Sequence, residues 1–329
     1  MNAPVSLAAI VERHAADVEA RLVAALASDS VLDVASRYHL ATGGKRLRAL
    51  LPIWLGTNLG GDPEAAIPLG LGIELLHNAT LVHDDLQDGD RTRRGEPTVW
   101  TVWGDAQAIN VGNHLFFVGV DHLARSGADA AFLSRAARVM IDVVGGQALE
   151  FQLQLPADHR DHVGATVAGW ERMARGKTAA LFALCAEAGA LSAGADPGER
   201  ARAAAFGSDV GLLFQLQDDL LDLVGDKGRG ETATDIAEGK ISYPVAWAKE
   251  NAGEAARMRL MAIIRTPREV TSRAMVEEAL GILRDVGAID AAARRIGDMW
   301  RELRESRYDA LLPGLVERVL EPVRHALPA

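Results

Sequence analysis

Two long runs constrain what this chain can fold into more than anything else in it: 66–88 (AIPLGLGIELLHNATLVHDDLQD) and 199–225 (ERARAAAFGSDVGLLFQLQDDLLDLVG). Both carry apolar residues at three- and four-residue spacing, the period of a helix. Over much of their length they are apolar nearly all round, which predicts central helices wrapped by others. A third run, 134–154, has the same period, and alternating β-branched stretches are scarce. Breakers fall between the runs at 60–63, 89–97, 194–198 and 226–235, none long enough to be an interdomain linker. With 329 residues, 49% of them hydrophobic, the chain can bury a large core. These features predict an all-α fold, a bundle of long helices forming one domain over 1–329.

The two central runs end on the same pattern, D-D-x-x-D. The first is LVHDDLQD, with Asp84, Asp85 and Asp88; the second is FQLQDDLLD, with Asp218, Asp219 and Asp222. Residues i and i+4 of a helix share a face and i+1 lies beside them, so each cluster projects carboxylates in one direction. Crowded like charges need a positive partner. Hard oxygen ligands suit magnesium, which takes one or two carboxylates plus waters and phosphate oxygens. A calcium loop is a poor fit, because no D-x-D-x-D-G pattern with a distal Glu is present.

Cationic donors accompany the acids. GGKRLR (43–48) supplies Lys45, Arg46 and Arg48, and RTRRGEPT (91–98) supplies Arg93 and Arg94 directly after the first cluster. Arginine forks match phosphate oxygens and lysine acts as a point charge. A P-loop is rejected: RGKTAAL ends like one, but Glu171 stands where the first glycine should precede Gly176. There is no G-x-S-x-G elbow and no H-E-x-x-H helix, and the nine histidines show no metal spacing. A formal charge of -10 argues against nucleic acid as a partner. The single cysteine, Cys185, fits a reducing compartment and reads as a core residue. The N-terminus lacks the continuous apolar segment of a secretory signal, and no window approaches 18 uncharged apolar residues. A cytoplasmic protein without stable membrane insertion is expected.

In order along 40–245, the segments GGKRLR, HNATLVHDDLQDGDRTRRGEPT, GGQ (145–147), GKT (176–178), FQLQDDLLD and DIAEGKISYP (235–244) resemble the trans-isoprenyl diphosphate synthase (polyprenyl synthetase) family. The resemblance implies long helices around a deep cavity, a homodimer, and two aspartate clusters facing each other across the cavity mouth. It implies a magnesium-dependent prenyltransferase joining isopentenyl diphosphate to an allylic diphosphate. Its candidate catalytic set is Asp84, Asp85, Asp88, Asp218, Asp219, Asp222 and Lys177, with the aspartates holding three magnesium ions. Arg93, Lys177, Thr178, Gln215 and Lys240 would contact the allylic diphosphate; Lys45, Arg48, His77 and Arg94 would hold isopentenyl diphosphate. His77 lies seven residues, two helical turns, before Asp84.

Three positions depart from the family pattern. The loop after the second cluster is shorter and offers Lys227 or Arg229 in place of the usual Gly-Lys; Gly112-Asn113 replaces Gly-Asp; and Ala49 replaces the proline that usually follows GGKRLR. Chain length in the family is set just before the first cluster, where this chain has Ala79 and Thr80. Small residues there leave the upper cavity open and imply a product of C20 or longer, close to geranylgeranyl and longer-chain synthases, with Leu76, Phe116 or Phe117 as a lower floor. The alternatives are a farnesyl-length synthase, a class I terpene cyclase and a non-catalytic subunit. A cyclase would want aromatic faces, and aromatics are only 5% of the chain. A non-catalytic subunit would be expected to have lost one cluster.

Overall fold

Short polar side chains decide where several helices begin. Ser6, Ser30, Thr166 and Ser272 each accept a hydrogen bond from the backbone N–H three residues on, and Asp62 accepts from Glu64, satisfying donors that a helix start leaves without partners. The structure, a computed structural model, describes residues 4–156, 158–160, 162–224 and 233–315. In chain order the helices are α1 (Leu7–Ala24), α2 (Val31–Ala41), α3 (Leu47–Asn58), α4 (Pro63–Gln87), α5 (Val99–Trp103), α6 (Asp105–Arg125), α7 (Ala130–Gln154), α8 (Val167–Ala174) and α9 (Ala180–Ser192). There follow α10 (Pro197–Val224), α11 (Thr234–Ala237), α12 (Tyr243–Asn251), α13 (Glu254–Ile264), α14 (Arg273–Asp285), α15 (Ala288–Arg304) and α16 (Leu312–Leu315). The expected all-α class is what the chain adopts. Among the described residues the only strands are β1 (Thr92–Arg93) and β2 (Glu96–Pro97), a hairpin inside the breaker expected at 89–97.

The described residues divide into two compact units that alternate along the sequence: one is built from 4–138, 181–207 and 313–315, the other from the described residues of 139–180 and 208–312. In the first unit α4 is the central element, packed between α3 and α6. Gly70 marks the close approach to α3: a Cβ there would collide with the carbonyl oxygen of Ala49. Gly72 and Gly119 do the same for α6, where a Cβ on Gly72 would meet Leu123 at 2.7 Å. By length and composition α4 could cross a membrane, yet it carries Glu74 in its middle and 72% of its most apolar stretch is buried inside the protein. Its apolar surface is the core of the unit.

The second unit packs α8 and α12 together and sets α12, α13, α14 and α15 against one another. Between α8 and α9 the chain makes one π-helical turn, Arg175–Ala179, the kind of local irregularity that concentrates at functional sites. Gly146 of α7 allows this turn to lie close, since a Cβ there would collide with the backbone of Lys177.

Candidate active site

In the first unit the basic residues are placed by a left-handed turn. Gly43, Gly44 and Arg46 have φ of 92°, 140° and 47°, and Arg94 has φ of 55°. Gly44 is needed for a second reason: the Arg94 guanidinium lies 3.1 Å from where its Cβ would be, and Arg94 donates to the Gly43 carbonyl. The glycine pair of GGKRLR is thus a bed for the arginine of RTRRGEPT. Arg48 stacks on the Phe182 ring, 5.3 Å from its centroid, with its Nε buried and without a hydrogen-bond partner. A donor in that condition fits an anion. Burial foremost, then Arg48, Arg93, His39 and Arg94, hold the His77 imidazole well below its usual range, so it is neutral and surrounded by cations. Arg48, His77, Arg93 and Arg94 therefore form one cluster, and Lys45 is exposed on the turn beside it.

Arg46 departs from the expectation that it is one more donor for a diphosphate. It is buried and clamped, donating from Nε to Glu19 at 2.7 Å and from Nη2 to Glu19 at 3.0 Å and the Leu40 carbonyl at 2.5 Å. Its work is to fold the turn.

The first aspartate cluster occupies the last turn of α4, with Asp88 as the C-cap. Carboxylates at that end oppose the helix dipole, so the cluster needs external positive charge. Arg93 supplies part of it to Asp85 through a fork, with Nε at 2.8 and 3.0 Å and Nη2 at 2.6 Å. Burial raises the Asp85 carboxyl, Arg93 opposes that, and Asp90 and Asp88 add to it. The β1–β2 hairpin returns Arg93 to Asp85, so these two residues, expected as diphosphate contact and metal ligand, are paired with each other.

The second unit holds the other cluster at the end of α10. Asp219 is buried and accepts from the Trp170 indole at 2.8 Å, the Tyr243 backbone N–H at 2.8 Å and the Gln215 amide at 2.9 Å. Burial outweighs these donors and pushes its carboxyl up to about 7. Asp222 accepts from the Thr234 hydroxyl at 2.7 Å and the Asp235 N–H at 3.0 Å. Asp218 is half-buried beside them. Thr178, on the π turn, donates to Gln215 at 2.7 Å, giving a line from Thr178 through Gln215 to Asp219. Lys177 pairs with Glu150 of α7, and Lys240 with Glu238 at 2.8 Å. Lys227 and Arg229 lie outside the described residues.

Trp170, Glu150, Tyr243 and Glu238 were not legible as site residues. Trp170 stands seven residues before Lys177 and Glu150 three after Gln147, helical spacings that could have flagged them. Among the described residues no three histidine, cysteine or acidic side chains converge as a ready-made metal cage. Of the chain-length candidates, Ala79 is fully buried in α4 and the Thr80 hydroxyl donates to the His77 carbonyl at 2.7 Å. Leu76 is buried against Gly119, while Phe116 packs its ring 5.8 Å from that of His83. Phe117 is 74% exposed and cannot floor a cavity in its own unit.

The fold and these clusters define an all-helical protein with acidic and basic groups suited to diphosphates. The polyprenyl synthetase family model matches residues 29–283, and the chain belongs to that family. It is 36% identical over 264 residues to the short chain isoprenyl diphosphate synthase of Methanothermobacter thermautotrophicus, covering 78% of each chain. It is 35% identical over 287 residues to the geranylgeranyl diphosphate synthase of Mycobacterium tuberculosis, covering 85% of this chain and 77% of that one. The crystal structure of geranylgeranyl pyrophosphate synthetase from Pyrococcus horikoshii aligns with a TM-score of 0.82 at 31% identity, covering 96% of this chain and 98% of the other. The protein is a prenyltransferase, a trans-prenyl diphosphate synthase.

Proposed function

We propose that this synthase adds isopentenyl diphosphate head-to-tail to an allylic diphosphate, with a product of C20 or longer, as one domain over 1–329. The family match at 29–283 runs through segments of both units, which supports the single domain. The observation that carries the reading is the cluster of Arg48, His77, Arg93 and Arg94 on the same unit as the α4 aspartates. Cations and crowded carboxylates together are what a metal-chelated diphosphate requires.

In this reading Lys45, Arg48, His77 and Arg94 hold isopentenyl diphosphate, and His77 contributes as a neutral hydrogen-bonding group. Asp84, Asp85, Asp88, Asp218, Asp219 and Asp222 are the proposed magnesium ligands. Bonds from Arg93, Trp170, Gln215, Tyr243, Thr234 and Asp235 orient Asp85, Asp219 and Asp222 within their clusters. Bound magnesium would supply Lewis-acid stabilisation of the leaving diphosphate. Arg93, Lys177, Thr178, Gln215 and Lys240 bind and orient the allylic diphosphate, their charge and hydrogen bonds favouring departure of the anion. The isopentenyl double bond then attacks the allylic cation, and a proton is lost to the departed diphosphate. Apolar walls exclude water from the cation.

Ala79 and Thr80 support the longer product, being too small to close the proposed cavity. A homodimer is supported by an uncharged face on α5 and α6, where Val102, Ile109, Phe117 and Val120 are 48%, 48%, 74% and 53% exposed. The test is purified protein with magnesium, labelled isopentenyl diphosphate and each primer from C5 to C20, read by mass spectrometry. A ladder ending at one trans-prenyl diphosphate of C20 or more is expected; no incorporation from any primer by folded protein would sink the reading.

A further inference from the structure

Glu74 is a carboxylate in the middle of the apolar helix α4, and it is 3% exposed. No role in the chemistry above requires it, yet a buried acid is costly unless it is paired. Its partners explain it. Oε2 accepts the backbone N–H of Ala49 at 3.1 Å, in the first turn of α3. Oε1 accepts the Asn78 amide at 3.1 Å and lies 3.8 Å from Nη1 of Arg46. Asn78, 2% exposed, also bonds the Glu74 carbonyl at 2.8 Å and the buried His39.

The charge of Glu74 reaches further than these bonds. Burial favours the neutral form of Arg48 and of Arg94, and Glu74 is the first group opposing that in each. Three arginines, Arg46, Arg48 and Arg94, thus share one buried counter-charge. It sits on the helix that also carries His77, one turn away. Ala49 gives the arrangement a feature particular to this chain. The family pattern has proline there, and proline has no N–H to donate.

We propose that Glu74 is the positioning residue of the isopentenyl diphosphate pocket, a built-in counter-ion that fixes the start of α3, and with it Arg48, against α4. The proposal rests on the reading that Arg48, His77 and Arg94 hold that substrate. Glu74 touches no substrate itself; it offsets the buried charge of the arginines and keeps them aimed while the pocket is empty.

Steady-state assays of the full chain, varying isopentenyl diphosphate and the allylic primer separately, test it. Glu74→Gln keeps the shape and removes the charge. The KM for isopentenyl diphosphate should rise roughly tenfold and that for the primer stay within about twofold, the loss of one charge-assisted interaction. A role in stability alone would move both constants or neither, and either result overturns the proposal. Ala49→Pro removes the N–H that Glu74 shares with the Arg46 carbonyl, at a first-turn position where the proline ring is tolerated, and should raise the isopentenyl diphosphate KM selectively by about threefold. It decides the matter if Glu74→Gln does not fold, and an unchanged KM there counts against the proposal. Arg48→Ala separates the two levels. If it leaves the isopentenyl diphosphate KM unchanged, the pocket reading falls and takes the Glu74 role with it. If it raises that KM and Glu74→Gln does not, the role of Glu74 alone is wrong.

Discussion

At the scale of single residues, the side chains of this site differ in what they are bonded to more than in what they are. Asp84 and Asp85 are neighbours of one type, but Asp85 is 1% exposed and forked by Arg93, and Asp84 is the more accessible of the two. If Asp84 is a direct magnesium ligand, Asp84→Asn should lower kcat by roughly a hundredfold or more, the usual scale for losing one electrostatic stabiliser of a transition state. Magnesium titration at saturating substrate checks it, and a kcat within tenfold of wild type would count against ligation. The histidines carry a second prediction. Burial foremost, then the charges of Arg93, Arg94 and Arg46, bring His39 down to about 3. The unfolded chain takes up that proton near the ordinary histidine value of about 6.5 and the folded one does not, so stability is full above that pH. It should fall by up to about 1.4 kcal/mol per pH unit between about 6.5 and 3, His77 acting in the same direction. Urea denaturation at pH 7.5 and 5.5 measures the drop, and His39→Gln should make it smaller.

At the scale of elements, α4 does several jobs because of its register. Its glycines let α3 and α6 approach, Glu74 and His77 face the basic turn, and the aspartates close its C-terminus. A helix this apolar is the core of its unit, and the few polar groups along it carry the site. Ala79 lies on this helix five residues before Asp84, and in the proposed reading a bulky ring there would close the product cavity, each helical turn of about 5.4 Å corresponding to roughly one isoprene unit of depth. Ala79→Phe should therefore shorten the product, read by mass spectrometry of the chain-length ladder. An unchanged ladder would mean the floor is set elsewhere. The π turn at Arg175–Ala179 does comparable work in the second unit, turning Thr178 toward Gln215 while Lys177 meets Glu150.

At the scale of the whole molecule, the exposed face of α6 is the surface that asks for a partner. Phe117 is 74% exposed and cannot floor a cavity in its own unit; covering it with a second copy would explain an uncharged row at 109, 117 and 120. In the proposed homodimer, Phe117→Arg should shift wild-type dimer to monomer in size-exclusion chromatography with light scattering; a variant that stays dimeric would place the interface on another face, and a monomeric wild type would overturn the dimer. Helix positions, the acidic clusters and the GGKRLR and RTRRGEPT stretches were all legible in the sequence, because hydrophobic period and charge spacing are local properties. The bounds expected at 66–88, 134–154 and 199–225 became Pro63–Gln87, Ala130–Gln154 and Pro197–Val224. The partners of each charge were not legible. That Arg46 is a clamp, that Arg93 belongs to Asp85, that Trp170 donates to Asp219 and that Glu74 serves three arginines depend on residues 8 to 49 positions apart meeting in space. Sequence alone determined which groups this protein has and which helices carry them. Tertiary structure decided which of them are occupied by each other, because burial makes every charge choose a partner.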